Sequence, residues 1–412
     1  MTAQQHVMTG YRVLDFTQVV AGPTTTRLLA EMGAEVIKVE LAPLGDMTRQ
    51  LPVLKNGRSS YFLQQNRGKK SLCLDVRKAE ARQLLEDLVR CCDVLVENFS
   101  AGAIGRLGLS WEQVHELNPR LVMCSISGFG QGGPLSTKPG YDAVAAAYAG
   151  VLDLIGYADG YPLFPQLAIG DGTTGVHALA AISTALLYRE RSGEGQFLDI
   201  SLLDSYFHQH DVAVNSYSGS AGAFVPKRSG HHHLVLHPLG IYRGRGADEF
   251  YMLVVPPLRW PAFCELIERP ELAADPRFAT NDARMAHHAE LVEIIEAWLR
   301  AQPSREVILA KMEEAHFAFA PVLSVPEAMR HPHFIERRIV RKVTDRCFGE
   351  IELPGMPLRF SAFPGELELE APHLGEHNRA VLGDILNLGD DRIDALEAAG
   401  VLHATAGQAS PA

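Results

Sequence analysis

Long apolar runs are missing from this chain of 412 residues. No stretch approaches the roughly 20 apolar residues of a membrane span. Residues 1–10 (MTAQQHVMTG) have neither the basic start nor the apolar centre of a secretory signal, so a cytoplasmic protein with no membrane partner is expected. Positive charge is also short: 38 Lys and Arg face 49 Asp and Glu, a net charge of −11 without long single-sign runs. That argues against nucleic acid as a main partner. The six cysteines (Cys73, Cys91, Cys92, Cys124, Cys264, Cys347) show no C-x-x-C spacing and read as reduced, mostly buried thiols. No internal repeat is visible, and nothing suggests a metal or redox cofactor.

What is present is an ordinary globular composition, 47% apolar and 21% charged, on a chain long enough for two domains. Residues 12–40 read as strand, helix, strand, with Gly22-Pro23 opening the helix and Gly33 closing it. Such a βαβ unit fixes a parallel sheet with a right-handed crossover. Its first turn carries no G-x-G-x-x-G, so it is not a dinucleotide fingerprint, yet loops at the carboxyl ends of parallel strands are where such sheets bind ligands. Strands at 69–76, 93–99 and 121–130 and helices at 78–91, 111–118 and 142–148 continue the pattern. Residues 151–166 read as an irregular loop and 203–218 as one helix. From 240 the texture changes to short strands (241–243, 250–255) and helices (259–268, 289–300, 304–314), a smaller α+β domain. The expected layout is a large domain in 1–220, a small domain in 221–328 and a return to the large domain in 329–412, with a frayed tail from Ala404.

The stretch Leu167–Ser205 organises the rest. Asp171 stands between Gly170 and Gly172 at the mouth of a long helix with Val176, Leu179, Ile182 and Leu186 on one face. Glycine neighbours leave the carboxylate open to close approach. By composition alone the simpler reading is a helix N-cap. His231–His233 follow Lys227, Arg228 and Gly230; adjacent side chains cannot all face one ion, so a mobile or plainly solvated loop over 227–238 is expected rather than a metal site.

Several segments, in order, carry a resemblance: VLDFxxxxAGP (13–23), GAEVIKVE (33–40), GDMTR (45–49), NRGKKSLxLD (66–75), VENFxxGxxxRLGL (96–109), SxSGFGxxGP (125–134), GYD (140–142), GDxxxGxH (170–177), GEGQxxDxSLxD (193–204) and GEHN (375–378). Together they resemble the family III CoA-transferases, the CaiB/BaiF family. The resemblance implies an α/β fold, with a Rossmann-like parallel-sheet large domain, a smaller α+β domain and two subunits threaded as an interlocked homodimer. It implies an enzyme whose partners are an acyl-CoA and a small carboxylate, with coenzyme A as substrate and no further cofactor. The active site would sit between the large domain of one subunit and the small domain of the other. Asp171 matches the nucleophile that carries CoA as an aspartyl thioester. Val20, Ala21, Leu74, Asp75, Arg77, Asn98, Phe99, Ser100, Arg106, Lys138, Tyr141 and Asp142 match CoA-contact positions. Arg77 and Arg106 suit phosphates, and amides around Gly170 and Gly172 suit developing oxyanions. Two positions depart from the pattern: Leu41 stands where some relatives carry Arg, and Lys138 lies one place early, before Pro139.

An α-methylacyl-CoA racemase is the alternative of the same fold. It pairs the matching Asp with a His in a G-H-D triplet, because moving an α-proton needs two groups on opposite faces. Here the triplet is Gly140-Tyr141-Asp142. A CoA-binding protein without activity is the other alternative. No polyglycine segment like that of formyl-CoA:oxalate transferases lies between 220 and 240. Lys227, Arg228 and the histidines there suit a dicarboxylate, so succinyl-CoA is the expected donor and a short dicarboxylate or sulfinate the expected acceptor, with carnitine-type acceptors as the alternative.

Overall fold

A computed structural model describes residues 5–405; the expected frayed tail lies mostly outside the described residues. The chain forms two compact units. The larger comprises residues 1–150, 165–209 and 332–412, the smaller 151–164 and 210–331.

The larger unit is built on six strands, β1 (Arg12–Asp15), β2 (Glu35–Leu41), β3 (Lys69–Leu74), β4 (Val94–Glu97), β5 (Val122–Ser127) and β6 (Phe197–Ser201). They lie in the order β3-β2-β1-β4-β5-β6, all parallel. Val13, Leu14, Val36, Ile37, Leu72, Val94, Leu95 and Val122 are almost wholly buried, as expected for parallel strands covered on both faces. The order reverses between β1 and β4, and a crevice at their carboxyl ends is the usual ligand site of such sheets. The covering helices that matter here are α1 (Ala21–Glu31), α2 (Ser60–Asn66), α3 (Ala79–Cys91), α4 (Trp111–Leu117), α5 (Asp142–Tyr148), α6 (Ile169–Ser192) and α7 (Leu202–His208). Ser110 caps α4 in a capping box with Gln113. The return segment ties into β3: Asp75 N–H donates to the Val401 carbonyl, and Asn378 Oδ1 accepts from Cys73 N–H.

Three expectations are corrected. The helix expected over 203–218 breaks into α7 and α8 (Ala213–Gly219). Val176 is exposed; the buried stripe of α6 runs through Gly175, Ala178, Leu179, Ile182 and Leu186. The units meet at 209/210 and 331/332 rather than 220/221 and 328/329. The segment 151–164, expected in the large domain, belongs to the smaller unit because its polar groups are satisfied there. Arg228 ion-pairs with Asp153, Tyr157 Oη lies 2.6 Å from His231 Nε2, and Gly230 N–H donates to the Gly156 carbonyl.

The smaller unit pairs β7 (Leu239–Arg243), β8 (Phe250–Val254) and β9 (Ala318–Pro321) as an antiparallel sheet with β8 in the centre. Tyr242, Tyr251, Leu253, Trp260, Phe263 and Ile295 form its core. No helix among the described residues is long and apolar enough to cross a membrane.

Candidate active site

The reversal of strand order places two turns side by side. After β1 comes Gln18–Ala21, and after β4 comes Asn98–Ala101. Both line a cavity of about 280 Å³, at the small end of small-molecule sites. The first turn is held in an unusual shape: Val19 has φ +69°, a left-handed conformation that a β-branched residue rarely adopts. Asn98 holds it there. Its Oδ1 accepts from Gln18 N–H (2.7 Å) and its Nδ2 donates to the Gln18 carbonyl (2.8 Å). From below, Asp15 accepts from the Thr17 amide and hydroxyl, while Lys38 donates to the Thr17 carbonyl. Glu97 is buried, which pushes its carboxyl up to about 7, and it accepts from Phe99 N–H in the second turn.

The third wall is the start of α6. The helix begins at Ile169 with Ala168 as its N-cap, so Asp171 lies in the first turn and is not the cap. What brings it to the cavity is the glycine four residues on. A Cβ at Gly175 would lie 2.8 Å from the Ala21 carbonyl oxygen and 2.9 Å from Thr24 Cβ. Only glycine lets α6 cross α1 this closely, and Thr25 Oγ1 donates to the Gly175 carbonyl at the crossing. One turn earlier, Asp171 therefore lines the same cavity as Val20 and Ala21 at the start of α1.

The electrostatics around Asp171 are unusual. No cation pairs with it or with Asp142 among the described residues. Asp142 instead accepts the Asp171 backbone N–H at Oδ1 (2.7 Å) and the Tyr206 hydroxyl at Oδ2 (2.9 Å). Burial, and then the adjacent Asp142 charge, push the Asp171 carboxyl up to about 7. Burial, and then the Asp171 and Asp46 charges, raise the phenol of Tyr61 on α2. A carboxylate this basic, exposed to a cavity and left without a counter-ion, suits a nucleophile or base better than a structural acid.

Of the residues expected to contact CoA, the cavity brings together Val20, Ala21, Asn98, Phe99, Ser100, Lys138 and Tyr141 beside Asp171. Asp142 stands behind Asp171. Leu74, Asp75, Arg77 and Arg106 are not in the lining. Leu74 is buried, and Arg106 is exposed on a short helical turn. Arg77 grips Asp75 with two hydrogen bonds and holds that carboxyl near 2. The oxyanion donors expected at Gly170 and Gly172 are already engaged. Gly172 N–H donates to the Ala168 carbonyl, and the Gly170 amide is hydrogen-bonded to Tyr206. Arg228, expected to attract a dicarboxylate, is occupied by Asp153 and the Tyr157 carbonyl. Sequence reasoning missed Gln18, Met47, Ser136, Tyr61 and Tyr206. Gln18 and Met47 lie inside the VLDFTQ and GDMTR segments, whereas Tyr206 leaves no signal until α7 is placed beside α5 and α6.

No histidine lines the cavity among the described residues.

A family model described as CoA-transferase family III matches residues 8–378. The chain is 37% identical to a formyl-CoA:oxalate CoA-transferase of Streptomyces coelicolor, over 98% of this chain and all of that one. It is 33% identical to the succinyl-CoA:glutarate CoA-transferase of Mus musculus, over 96% of this chain and 90% of that one. It is 34% identical to the succinyl-CoA–D-citramalate CoA-transferase of Chloroflexus aurantiacus, over 95% and 97%. Among solved structures, a CaiB/BaiF family protein from Brucella suis superposes with a TM-score of 0.80 at 32% identity, covering 93% of this chain and 100% of that one.

Proposed function

The chain belongs to CoA-transferase family III, and on that premise we propose that it moves coenzyme A between two carboxylic acids through a thioester on Asp171. The observation that carries the proposal is the Asp171 carboxylate, pushed up by burial and by Asp142 and in no ion pair among the described residues, at a cavity it lines together with Val20 and Ala21.

The ionised Asp171 oxygen attacks the thioester carbonyl of the donor acyl-CoA. The C–S bond breaks, giving a mixed anhydride and the CoA thiolate. The thiolate attacks the aspartyl carbonyl, and the donor acid leaves as its carboxylate. The acceptor carboxylate then attacks the aspartyl-CoA carbonyl, expelling thiolate and forming a second anhydride. Thiolate attack on the acceptor's acyl carbon gives the new acyl-CoA and restores the Asp171 carboxylate. No net proton moves, which matches a site with a nucleophile and no histidine. A basic carboxylate is the better nucleophile provided it is ionised, so a value near neutrality is a compromise between the two.

For substrates we propose succinyl-CoA as donor and a short dicarboxylate as acceptor. The support is chemical: oxalate, glutarate and citramalate, the acceptors in the relatives' names, are all dicarboxylates. The working form is a homodimer. Val176, Leu187 and Tyr188 leave about half of their surface exposed on α6, a face suited to a second copy.

Asp171→Ala tests the proposal. The variant should bind CoA as tightly as the parent but transfer none between succinyl-CoA and a panel of dicarboxylates. Retained transfer would overturn the proposal. Sedimentation at micromolar concentration should give a dimer; a monomer that transfers CoA would remove the dimer from the account.

A further inference from the structure

Tyr206 does more than fill space. Its side chain is 3% exposed on α7, and its ring is pressed against the start of α6. A Cβ at position 170 would lie 2.1 Å from Tyr206 Cε2 and 2.7 Å from Asp142 Oδ1. Gly170 is thus the contact at which three elements meet: α6 at Gly170 and Asp171, α5 at Asp142 and α7 at Tyr206. The Tyr206 hydroxyl is shared. It is hydrogen-bonded to the Gly170 amide and donates to Asp142 Oδ2. Asp142 passes the constraint on, because its other oxygen receives the Asp171 N–H. A second pair, His177 Nδ1 and Ser205 Oγ at 3.1 Å, joins α6 to α7 one turn along.

We propose that Tyr206 is a positioning residue for Asp171. By donating to Asp142 Oδ2 it keeps that carboxylate aimed at the Asp171 backbone and draws off part of its charge, and so sets the place of the nucleophile and the field around it. This inference rests on the aspartyl-thioester reading. The ionisable groups around Asp171 are Asp142 from α5, Tyr206 from α7, Tyr61 from α2, and Lys138 and Tyr141 from the segment before α5, which line the same cavity. The residues of α1 that meet this part of α6 are Ala21, Thr24 and Thr25, none of them charged.

The sign of each effect is fixed. Asp142's charge disfavours ionisation of Asp171, and the Tyr206 hydroxyl bond draws part of that charge away from it.

The test is the pH profile of kcat/KM in the parent, Tyr206→Phe, Asp142→Asn and the double variant. Tyr206→Phe should move the acid limb up by about one pH unit, the size of one lost hydrogen bond to a charged group. Asp142→Asn should move it down. In the double variant the Tyr206 change should add no further shift, because no charge remains for the hydroxyl to hold. A purely structural Tyr206 would lower kcat at every pH, or reduce the folded fraction, with the limb unmoved; that result overturns the proposal. Equal limb shifts from Tyr206→Phe with and without Asp142 overturn it too. Trapping the aspartyl-CoA adduct on the parent in parallel separates the two claims. If no adduct forms, the thioester reading fails; an adduct with an unmoved limb refutes the role of Tyr206 alone.

Discussion

Two groups of buried acids in the larger unit invite comparison. Under the sheet, Asp15 and Asp46 lie against Lys69 and Lys38, with N···O distances of 3.0 and 2.9 Å and all four side chains fully buried. There the two lysines hold both carboxyls below their ordinary range despite burial. At the cavity, Asp171 and Asp142 lie against each other and neither forms an ion pair with a lysine or arginine among the described residues, and Asp171 moves the opposite way. Burial penalises charge in both places; the nearest partner decides the direction. The first group fixes the fold, because Lys38 and Asp15 hold Thr17 and with it the turn at Gln18–Ala21. The second stores reactivity, because an uncompensated acid is a poor structural element and a good nucleophile.

Exchanging the roles of the two groups breaks the comparison most sharply. Asp171→Asn should cut transfer by about 10⁴-fold or more and leave the melting temperature at or above that of the parent. Lys69→Met should do the reverse. It leaves Asp15 buried without its cation, at a cost of about 3–5 kcal/mol in chemical denaturation. If Asp171→Asn destabilised the protein and Lys69→Met did not, the division of roles would be lost.

pH separates the groups next. Asp171 is raised, so the folded state disfavours its charge. That penalty is present above about 7 and is relieved as pH falls toward the unfolded value near 4. The stability gain of Asp171→Asn should therefore be full at pH 8, shrink to about a third by pH 5 and vanish below about pH 4. Asp15 is lowered, so its contribution holds above about pH 4 and is lost on further acidification. Transfer by the parent should fall about tenfold per pH unit well below 7, as Asp171 takes up its proton.

Smaller effects sharpen the picture of the cavity. Asn98→Ala frees a turn that holds Val19 at φ +69°. It should raise the KM for acyl-CoA about tenfold, the size of one to two lost hydrogen bonds. Arg77→Ala should change that KM less than about threefold, because the guanidinium is 81% exposed and already bonded to Asp75. A larger loss would mean that Arg77 leaves Asp75 for a phosphate when CoA binds.

Much of this architecture is readable from the chain. Val13–Phe16, Val36–Val39 and Val94–Val96 are short apolar runs bounded by turn residues, and a buried parallel sheet follows from them. The spacing of Gly170, Asp171 and Gly175 is also visible, although the reason for it, the close crossing of α1 and α6, appears only in three dimensions. Hidden in the sequence were the contacts that turn Asp171 into a reactive group. Asp142 lies 29 residues before it and Tyr206 35 after it, and no periodicity links positions on three different helices. The same limit explains the corrections. Amides at a helix start look free until their partners are placed, and Arg228 looks available until Asp153 folds back onto it.

The most direct measurement is peptide mass spectrometry of the protein after brief incubation with succinyl-CoA and no acceptor. The account predicts a CoA adduct on the peptide containing Asp171, lost when a dicarboxylate acceptor is added and absent from Asp171→Ala. Turnover of both substrates with no adduct at Asp171, or with an adduct at another carboxylate, would contradict it.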